Sequence, residues 1–176
     1  MKLNNSLLSY LICMLIPLMG TKAQQNSSYV NTFIGTDGTG HTFPGPSMPF
    51  GMVQPGPDNR DYGWNHTSGY QYQDTLLMGF SQTRLSGTGI NEMGDVLLLP
   101  INPNKANGKN GYDKASESAK VGYYTVKKND GVKVELTCTQ RVAFHQYTFP
   151  DREAQVLVDL QHGLRFIFDT NNANGL

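Results

Sequence analysis

The segment from Tyr29 to Pro100 most constrains the fold, because it packs glycine, proline and aromatic residues into short turns around isolated polar groups. It reads YVNTFIGTDGTGHTFPGPSMPFGMVQPGPDNRDYGWNHTSGYQYQDTLLMGFSQTRLSGTGINEMGDVLLLP. Glycine adopts backbone conformations that other residues avoid, and proline fixes φ, so this density predicts loops of defined shape. Loops of this kind commonly carry binding residues on a rigid scaffold.

The second half of the chain has the pattern of β-strands. Val132–Leu136 and Val142–Phe149 alternate apolar and polar residues, and Asn129–Gly131 is typical of a hairpin turn. Ala154–Leu160 is predicted to be a buried strand, and the polar segment 101–118 an exposed loop. Since no long segment has a helical period, we predict an all-β fold, an antiparallel β-sandwich.

The N-terminus has the pattern of a secretory signal peptide. Lys2 precedes an apolar run from Leu7 to Met19, and small or polar residues follow it up to Ala23. Because the run is shorter than the roughly 20 residues that span a bilayer, cleavage is favoured over a retained anchor. We therefore predict a signal peptide at 1–23 and a single exported domain at 24–176, either periplasmic, held at the cell surface or secreted.

Charge and cysteine content exclude several functions. The chain carries 14 basic and 14 acidic residues, and this balance argues against a nucleic-acid partner or electrostatic docking on a membrane. A neutral sugar polymer suits it better. Cys138 is the only cysteine outside the leader. It lies in an alternating run, so we expect a buried small side chain with no chemistry of its own.

Several further blocks follow the loop-rich segment in order: VGYYTV, VKVELTCTQRVAFHQYTFP and AQVLVDL. Together with SGYQY, GFSQTRLSGTG and GDVLLLP, they make the chain similar to the N-terminal domain of glycoside hydrolase family 92, the calcium-dependent exo-acting α-mannosidases. The resemblance covers nearly the whole chain after the leader. It implies a β-sandwich followed by a larger helical toroid, so that a chain ending at Leu176 is expected to be a fragment, incomplete at its C-terminal end.

Catalytic and metal-binding residues are not expected within this chain. Inverting glycosidases need two carboxyl groups about 6.5–9.5 Å apart. Aspartates beside glycine or proline more often cap turns, and we expect this of the loop acids, namely Asp37, Asp58, Asp61, Asp74, Glu92 and Asp95. The resemblance implies that the toroid supplies both the catalytic groups and the Ca²⁺ ligands.

The resemblance also implies that the N-terminal domain forms part of the wall of a mannose pocket, through the loops GTDGTGHTFPG and PDNRDYGW. Trp64, beside Gly63, is the best candidate for stacking on a pyranose, the alternative being a buried core tryptophan. Arg60 and Asp61 are suited to paired hydrogen bonds with sugar hydroxyls, or else to pairing with each other or with a turn. His41 either donates to a hydroxyl or holds its loop, and we expect the second.

One block departs from the family pattern. GFSQTRLSGTG carries Gln82 and Arg84 where the family commonly has histidine, which predicts an altered pocket or domain contact. The resulting hypothesis is the N-terminal domain of an exported α-1,2-type α-mannosidase that binds mannose-containing glycans and packs on a C-terminal catalytic domain. The alternatives are a noncatalytic carbohydrate-binding or structural module, and a sandwich domain of another hydrolase.

Overall fold

The computed structural model describes residues 26–105 and 111–164. The chain divides into two compact units, Met1–Val30 and Asn31–Leu176. The described part of the first unit contains a 3₁₀ helix, Ser27–Tyr29. The predicted signal peptide lies outside the described residues. The apolar triplet at 166–168, whose sequence suggests the start of another strand, also lies outside them. No helix in the described ranges has the length and apolar character needed to cross a membrane.

The second unit contains two four-stranded antiparallel sheets, and this arrangement confirms the predicted all-β sandwich. The strands are β1 (Gly56–Asp58), β2 (Gly79–Ser81), β3 (Leu97–Ile101), β4 (Ser118–Lys120), β5 (Tyr123–Lys127), β6 (Lys133–Cys138), β7 (Ala143–Thr148) and β8 (Gln155–Asp159). The first sheet has the order β1-β2-β3-β8, and the second has the order β4-β5-β6-β7. Short 3₁₀ helices lie in the loops, at Trp64–His66, Pro103–Lys105 and Lys114–Ser116.

The second sheet is a meander whose turns follow from the sequence. Along β6 the side chains alternate between the interior and solvent, which fits the period of two that the sequence shows. Gly131 has a φ of +90° in the turn between β5 and β6, and the Asp130 carboxylate accepts from the Val132 backbone N–H. The structure therefore confirms the turn predicted at Asn129–Gly131. It also confirms the two predicted strands, which are β6 and β7.

The core lies between the two sheets. The inner faces of β5 and β6 contribute half of its buried side chains, and the rest come from β2 and from the segments that precede β2, β4 and β6. The rings of Phe80 and Tyr124 meet across the sheets with their centroids 6.4 Å apart. Each such side chain contributes roughly 1.5–3 kcal/mol when it is fully buried. The cluster consists of Leu77, Phe80, Tyr112, Tyr124, Val126, Val132, Val134 and Leu136.

The burial predicted for β8 is wrong, although the strand itself is present. β8 pairs with β3 over five residues, yet Val156, Leu157 and Val158 are all about half exposed. Neighbouring residues of a strand point to opposite faces, so within the described residues neither face of this edge strand is covered. Apolar composition predicted a strand, but it does not say what packs against it.

Two smaller expectations are met only in part. The described parts of the segment 101–118 are mostly loop and short 3₁₀ turns, but Tyr112 is buried in the core. Nearby, Lys114 Nζ lies 2.8 Å from both the Tyr70 hydroxyl and a Glu117 carboxylate oxygen. Cys138 ends β6 and is partly exposed rather than buried. Partial burial raises the pKa of its thiol, so the group stays protonated and poorly nucleophilic.

Candidate functional site

The glycine-rich loops rest on a buried cation, Arg84, whose side chain is fully enclosed. Its Nη1 donates to the carbonyl oxygens of Pro57 (3.1 Å) and Ser68 (2.7 Å), and its Nη2 donates to that of Gly56 (2.7 Å). The guanidinium also lies over the Phe43 ring, 4.6 Å from its centroid. Arg84 therefore fixes the backbone of several loop segments at once. Because the whole side chain is interior, the effect expected on a pocket or domain contact would act through these loops, and it stays a prediction.

Asp58 is the buried counter-charge of Arg84. Its Oδ1 lies 3.0 Å from Arg84 Nη1, and its Oδ2 lies 2.9 Å from His162 Nε2. Gly69 packs directly on this carboxylate with a φ of +81°, and a Cβ there would come within 2.3 Å of Asp58 Oδ1. We call Asp58, Arg84 and His162 the polar node. It ties β1 to the loop that follows it and to the segment after β8.

A tight turn presents Trp64 to solvent. Gly63 enters the turn with a φ of +91°, and the 3₁₀ helix Trp64–His66 follows it. The His66 N–H donates to the Gly63 carbonyl at 3.0 Å. Trp64 is 51% exposed. The prediction that it lies in a loop is confirmed, and the alternative of a buried core tryptophan is wrong.

His41 packs against the indole of Trp64. It is buried, has a φ of +55°, and meets Trp64 edge to face with ring centroids 4.4 Å apart. Gly89 packs against both rings, since a Cβ there would lie 3.2 Å from His41 Nδ1 and 3.4 Å from Trp64 Nε1. We call His41, Trp64 and Gly89 the Trp64 cluster. The interior position of His41 agrees with its expected role in holding the loop.

One nitrogen of the His41 ring makes no hydrogen bond within the described part of the domain. Its Nε2 is buried and has no hydrogen-bond partner among the described residues. A buried polar atom in that state costs free energy unless a ligand or water satisfies it. The atom is therefore an unsatisfied but enclosed polar group of the ring that contacts the indole.

Arg60 and Asp61 lie just before the Trp64 turn, and they do not pair with each other. Arg60 Nε is 3.9 Å from Asp74 Oδ2, and this oxygen also contacts His66 Nε2 at 2.7 Å. Arg60 therefore pairs with Asp74, which closes a turn through its N–H to the Gln71 carbonyl, and not with Asp61. Its side chain stays 45% exposed. Asp61 is partly exposed beside it, so both groups remain accessible from solvent.

Sequence reasoning missed the residue that joins the first glycine loop to the Trp64 turn. The Gln71 side-chain amide donates to the carbonyl of Gly38 at 3.0 Å and also to that of Asn65. Nothing in the pattern of the block SGYQY marks this glutamine as a bridge. Its role depends on two loops that are distant in sequence, so only the structure reveals it.

Most of the loop acids have structural partners. Asp95 accepts from the Thr83 hydroxyl at 2.9 Å, while Asp58 and Asp74 make the contacts already described. Hydrogen bonds from the Gln73 amide and the Gly38 N–H lower the pKa of Asp37. Within the two described ranges, no group of three His, Cys, Asp or Glu side chains is close enough to hold a metal ion. The residues present do not fit a calcium site.

Gln82 links the two sheets and lies away from the Trp64 cluster. Its Nε2 donates to the carbonyls of Phe80 (2.8 Å) and Val96 (3.2 Å), while its Oε1 accepts from His145 Nε2 at 2.8 Å. The Tyr147 hydroxyl lies 2.8 Å from the other ring nitrogen, Nδ1. Burial lowers the pKa of His145 to about 4, so the ring is neutral at pH 7. Within the described residues Gln82 thus serves a contact between the sheets, and the altered pocket expected there stays a prediction.

Known proteins share this architecture. The model of the glycosyl hydrolase family 92 N-terminal domain matches residues 29–174. An uncharacterized secreted glycosidase of Arthroderma benhamiae is 33% identical, over 75% of this chain and 19% of its own length. A family 92 α-mannosidase of Bacteroides thetaiotaomicron, solved with mannoimidazole, is 38% identical with a TM-score of 0.72, and the alignment covers 78% of this chain and 20% of that one.

A second solved structure, an inverting family 92 mannosidase from Bacteroides thetaiotaomicron, is 25% identical with a TM-score of 0.61, over 74% of this chain and 19% of the other. The chain thus spans about a fifth of the length of the relatives it matches. The family match extends over both sheets and the Trp64 cluster. The chain belongs to glycosyl hydrolase family 92, whose N-terminal domain it contains at residues 29–174.

Proposed function

We propose that this chain is the N-terminal domain of an exported, inverting α-mannosidase of the α-1,2 type, and that the Trp64 cluster forms part of the wall of its mannose pocket. One observation carries the proposal: a half-exposed indole is held edge-on by a buried histidine among glycine turns. Two similar solved structures are of mannosidases, one of them bound to mannoimidazole. The predicted leader and the secreted fungal relative support export.

The chemistry of the Trp64 cluster suits a pyranose. The C–H face of a sugar packs on an indole, and the indole N–H is a donor at its edge. Arg60 and Asp61, which are accessible on the same segment, supply paired donors and acceptors for adjacent hydroxyls. Gly89 lets the backbone pass close to both rings without a side chain in the way.

In this proposal the domain binds sugar and packs on a catalytic domain, and it performs no hydrolysis itself. The buried Asp58 and the paired Asp74 are committed to internal contacts, so they make poor general acids or bases. The general acid, the general base and the Ca²⁺ ligands belong to the remainder of a full-length enzyme. Calcium finds no fitting set of ligands among the described residues.

Mannose release by the full-length gene product from α-1,2-linked mannobiose, with and without calcium, tests the proposal. We expect Trp64→Ala to lower kcat/KM by about ten-fold or more, since stacking on an aromatic ring is worth on the order of 1 kcal/mol or more. Tyr62→Ala is the matched control, because Tyr62 is 50% exposed on the same segment. Absence of activity on any α-mannoside in both conditions would contradict the proposal.

The second candidate is a noncatalytic carbohydrate-binding module, favoured by the internal commitment of the loop acids. Trp64 is the only tryptophan of the chain, so its fluorescence reports on the Trp64 cluster alone. As a binding module, the isolated chain should show a saturable change in fluorescence with methyl α-mannoside. A folded chain whose fluorescence does not respond would remove this candidate and leave the enzyme domain.

A further inference from the structure

A second cleft lies on the outer face of the β4–β7 sheet, apart from the Trp64 cluster. It has a volume of about 230 Å³, and Tyr123, Glu135, Thr137, Phe144 and Gln146 contribute to its lining. Thr137 pairs with Phe144 across β6 and β7, and Glu135 pairs with Gln146 two residues further along. Side chains two residues apart on a strand share a face and lie roughly 7 Å from each other. The cleft is thus an approximate square of one aromatic, one hydroxyl, one carboxylate and one amide group.

The aromatic rings differ in accessibility. Lys120 Nζ lies over the Tyr123 ring, 5.3 Å from its centroid. The Tyr123 hydroxyl donates to Glu135 Oε1. Phe144 is 52% exposed on the neighbouring edge strand. Phe144 therefore provides the open aromatic surface of the cleft, and Tyr123 forms a wall that is already bonded in place.

The polar groups are similarly held. Lys133 Nζ contacts the same Glu135 oxygen, Oε1, at 2.9 Å. Among the described contacts both partners of this carboxylate use Oε1, so Oε2 remains to accept from a ligand. The Gln146 amide is exposed beside it and both donates and accepts. An open apolar ring with paired acceptors and donors at its side is complementary to a ring compound that carries adjacent hydroxyls.

The backbone argues against a peptide in the same cleft. Its floor is β6, which is hydrogen-bonded to β5 on one side and to β7 on the other. An extended peptide gains its affinity from an exposed strand edge, whereas β6 has no free edge and the free edge of β7 lies on the side away from β6. Recognition there must come from side chains alone.

We infer that this cleft is a second saccharide-binding site, in which one pyranose of a mannose-containing glycan stacks on Phe144 and hydrogen-bonds to Glu135 and Gln146. The ligand class is that of the proposed function, but the residues are separate from the Trp64 cluster. Such a site holds the domain on a polymer while the Trp64 cluster meets a chain end. The two sites can therefore fail independently.

Affinity electrophoresis of the chain through gels containing α-mannan tests the inference. We expect retardation of the parent chain, roughly ten-fold weaker retention of Phe144→Ala, weaker retention of Gln146→Ala, and recovery in Phe144→Tyr. Leu157→Ala is the matched control, because Leu157 is also 52% exposed but lies on β8 of the other sheet. Circular dichroism checks that each variant is folded.

The outcomes separate the two sites. Retention that survives Trp64→Ala but not Phe144→Ala supports the cleft. An unretarded parent chain, or retention that is unchanged in both Phe144→Ala and Gln146→Ala, overturns it. If Trp64→Ala alone abolishes retention, the inference fails while the proposed role of the Trp64 cluster stands.

Discussion

The loop-rich half of the domain, residues 31–96, and the β4–β7 sheet are stabilised in different ways. In the loop half, Arg84 is the largest fully buried side chain, and it satisfies carbonyl oxygens of several separate segments. The sheet instead buries Tyr124, Val126 and Val134 in an alternating pattern. Loops that bury few apolar side chains thus keep a defined shape by bonding their backbone to one enclosed cation. The Trp64 cluster lies on this loop-rich half.

This difference predicts different responses to substitution. Cutting a large apolar side chain in a core back to alanine costs about 2–5 kcal/mol, and the neighbours relax partly around the cavity. Removing one partner of a buried ion pair leaves the other charge without compensation, together with several carbonyl groups. In the loop-rich half, such a substitution should therefore displace several segments at once. In the β4–β7 sheet, a truncated side chain should weaken only the packing around it.

Arg84→Met should give the largest effect. We expect a loss of roughly 3–5 kcal/mol in the free energy of unfolding, because Asp58 stays buried without its counter-charge. Urea denaturation measures it. Arg60→Met is the control, since the half-exposed Arg60 pairs with Asp74 at only 3.9 Å, and such pairs contribute about 0–1 kcal/mol. Similar losses in the two variants would refute the central role of the polar node.

Leu136→Ala tests the apolar half. Leu136 is buried on β6, and truncation of such a side chain typically costs about 2–5 kcal/mol. We expect the emission of native Trp64 to stay unchanged, because the cavity opens in the core beneath the sheet and not in the loops. Arg84→Met should shift that emission in the native state. If Leu136→Ala shifts it equally, the two halves are not distinct.

His145 joins the halves, and its contribution depends on pH. The unfolded chain takes up a proton on this ring below about pH 6.5, whereas burial holds the pKa of the folded state at about 4. Protonation therefore favours the unfolded state progressively as the pH falls from 6.5 to 4, with no further loss below that. The shift corresponds to at most about 3 kcal/mol. In His145→Gln this part of the pH dependence of urea denaturation should disappear, and its persistence would count against the assignment.

The strands were predictable from sequence because their cause is local. Alternation along Val132–Leu136 and glycine at position 131 each act over a few residues, so pattern alone located β6 and its turn. The exposure of β8 was not predictable. Its apolar residues indicate a strand, but whether anything covers them depends on elements distant in the chain.

The sequence was sufficient to place Trp64 in a loop, but not to identify the contacts around it. The residues around Trp64 favoured a turn, and the structure agrees. Arg84 was misjudged, because a charged residue in a polar block reads as exposed, and its burial depends on Asp58 lying 26 positions earlier in the chain. Long-range pairing of this kind has no sequence period. The contact between His41 and Trp64 was missed for the same reason.

The smallest predicted effect compares two glycines of the loop half. Gly69 and Gly87 both have positive φ, +81° and +75°, so alanine is strained at either position. A Cβ at Gly87 meets nothing within 4 Å, whereas at Gly69 it would reach Asp58 Oδ1 at 2.3 Å. Gly87→Ala therefore measures backbone strain alone, and Gly69→Ala adds displacement of the polar node. We expect Gly69→Ala to cost roughly 1–3 kcal/mol more in urea denaturation. Equal losses of unfolding free energy in the two variants would mean that the polar node moves without cost. The rigidity of the loop-rich half would then come from its glycine and proline conformations instead of from Arg84.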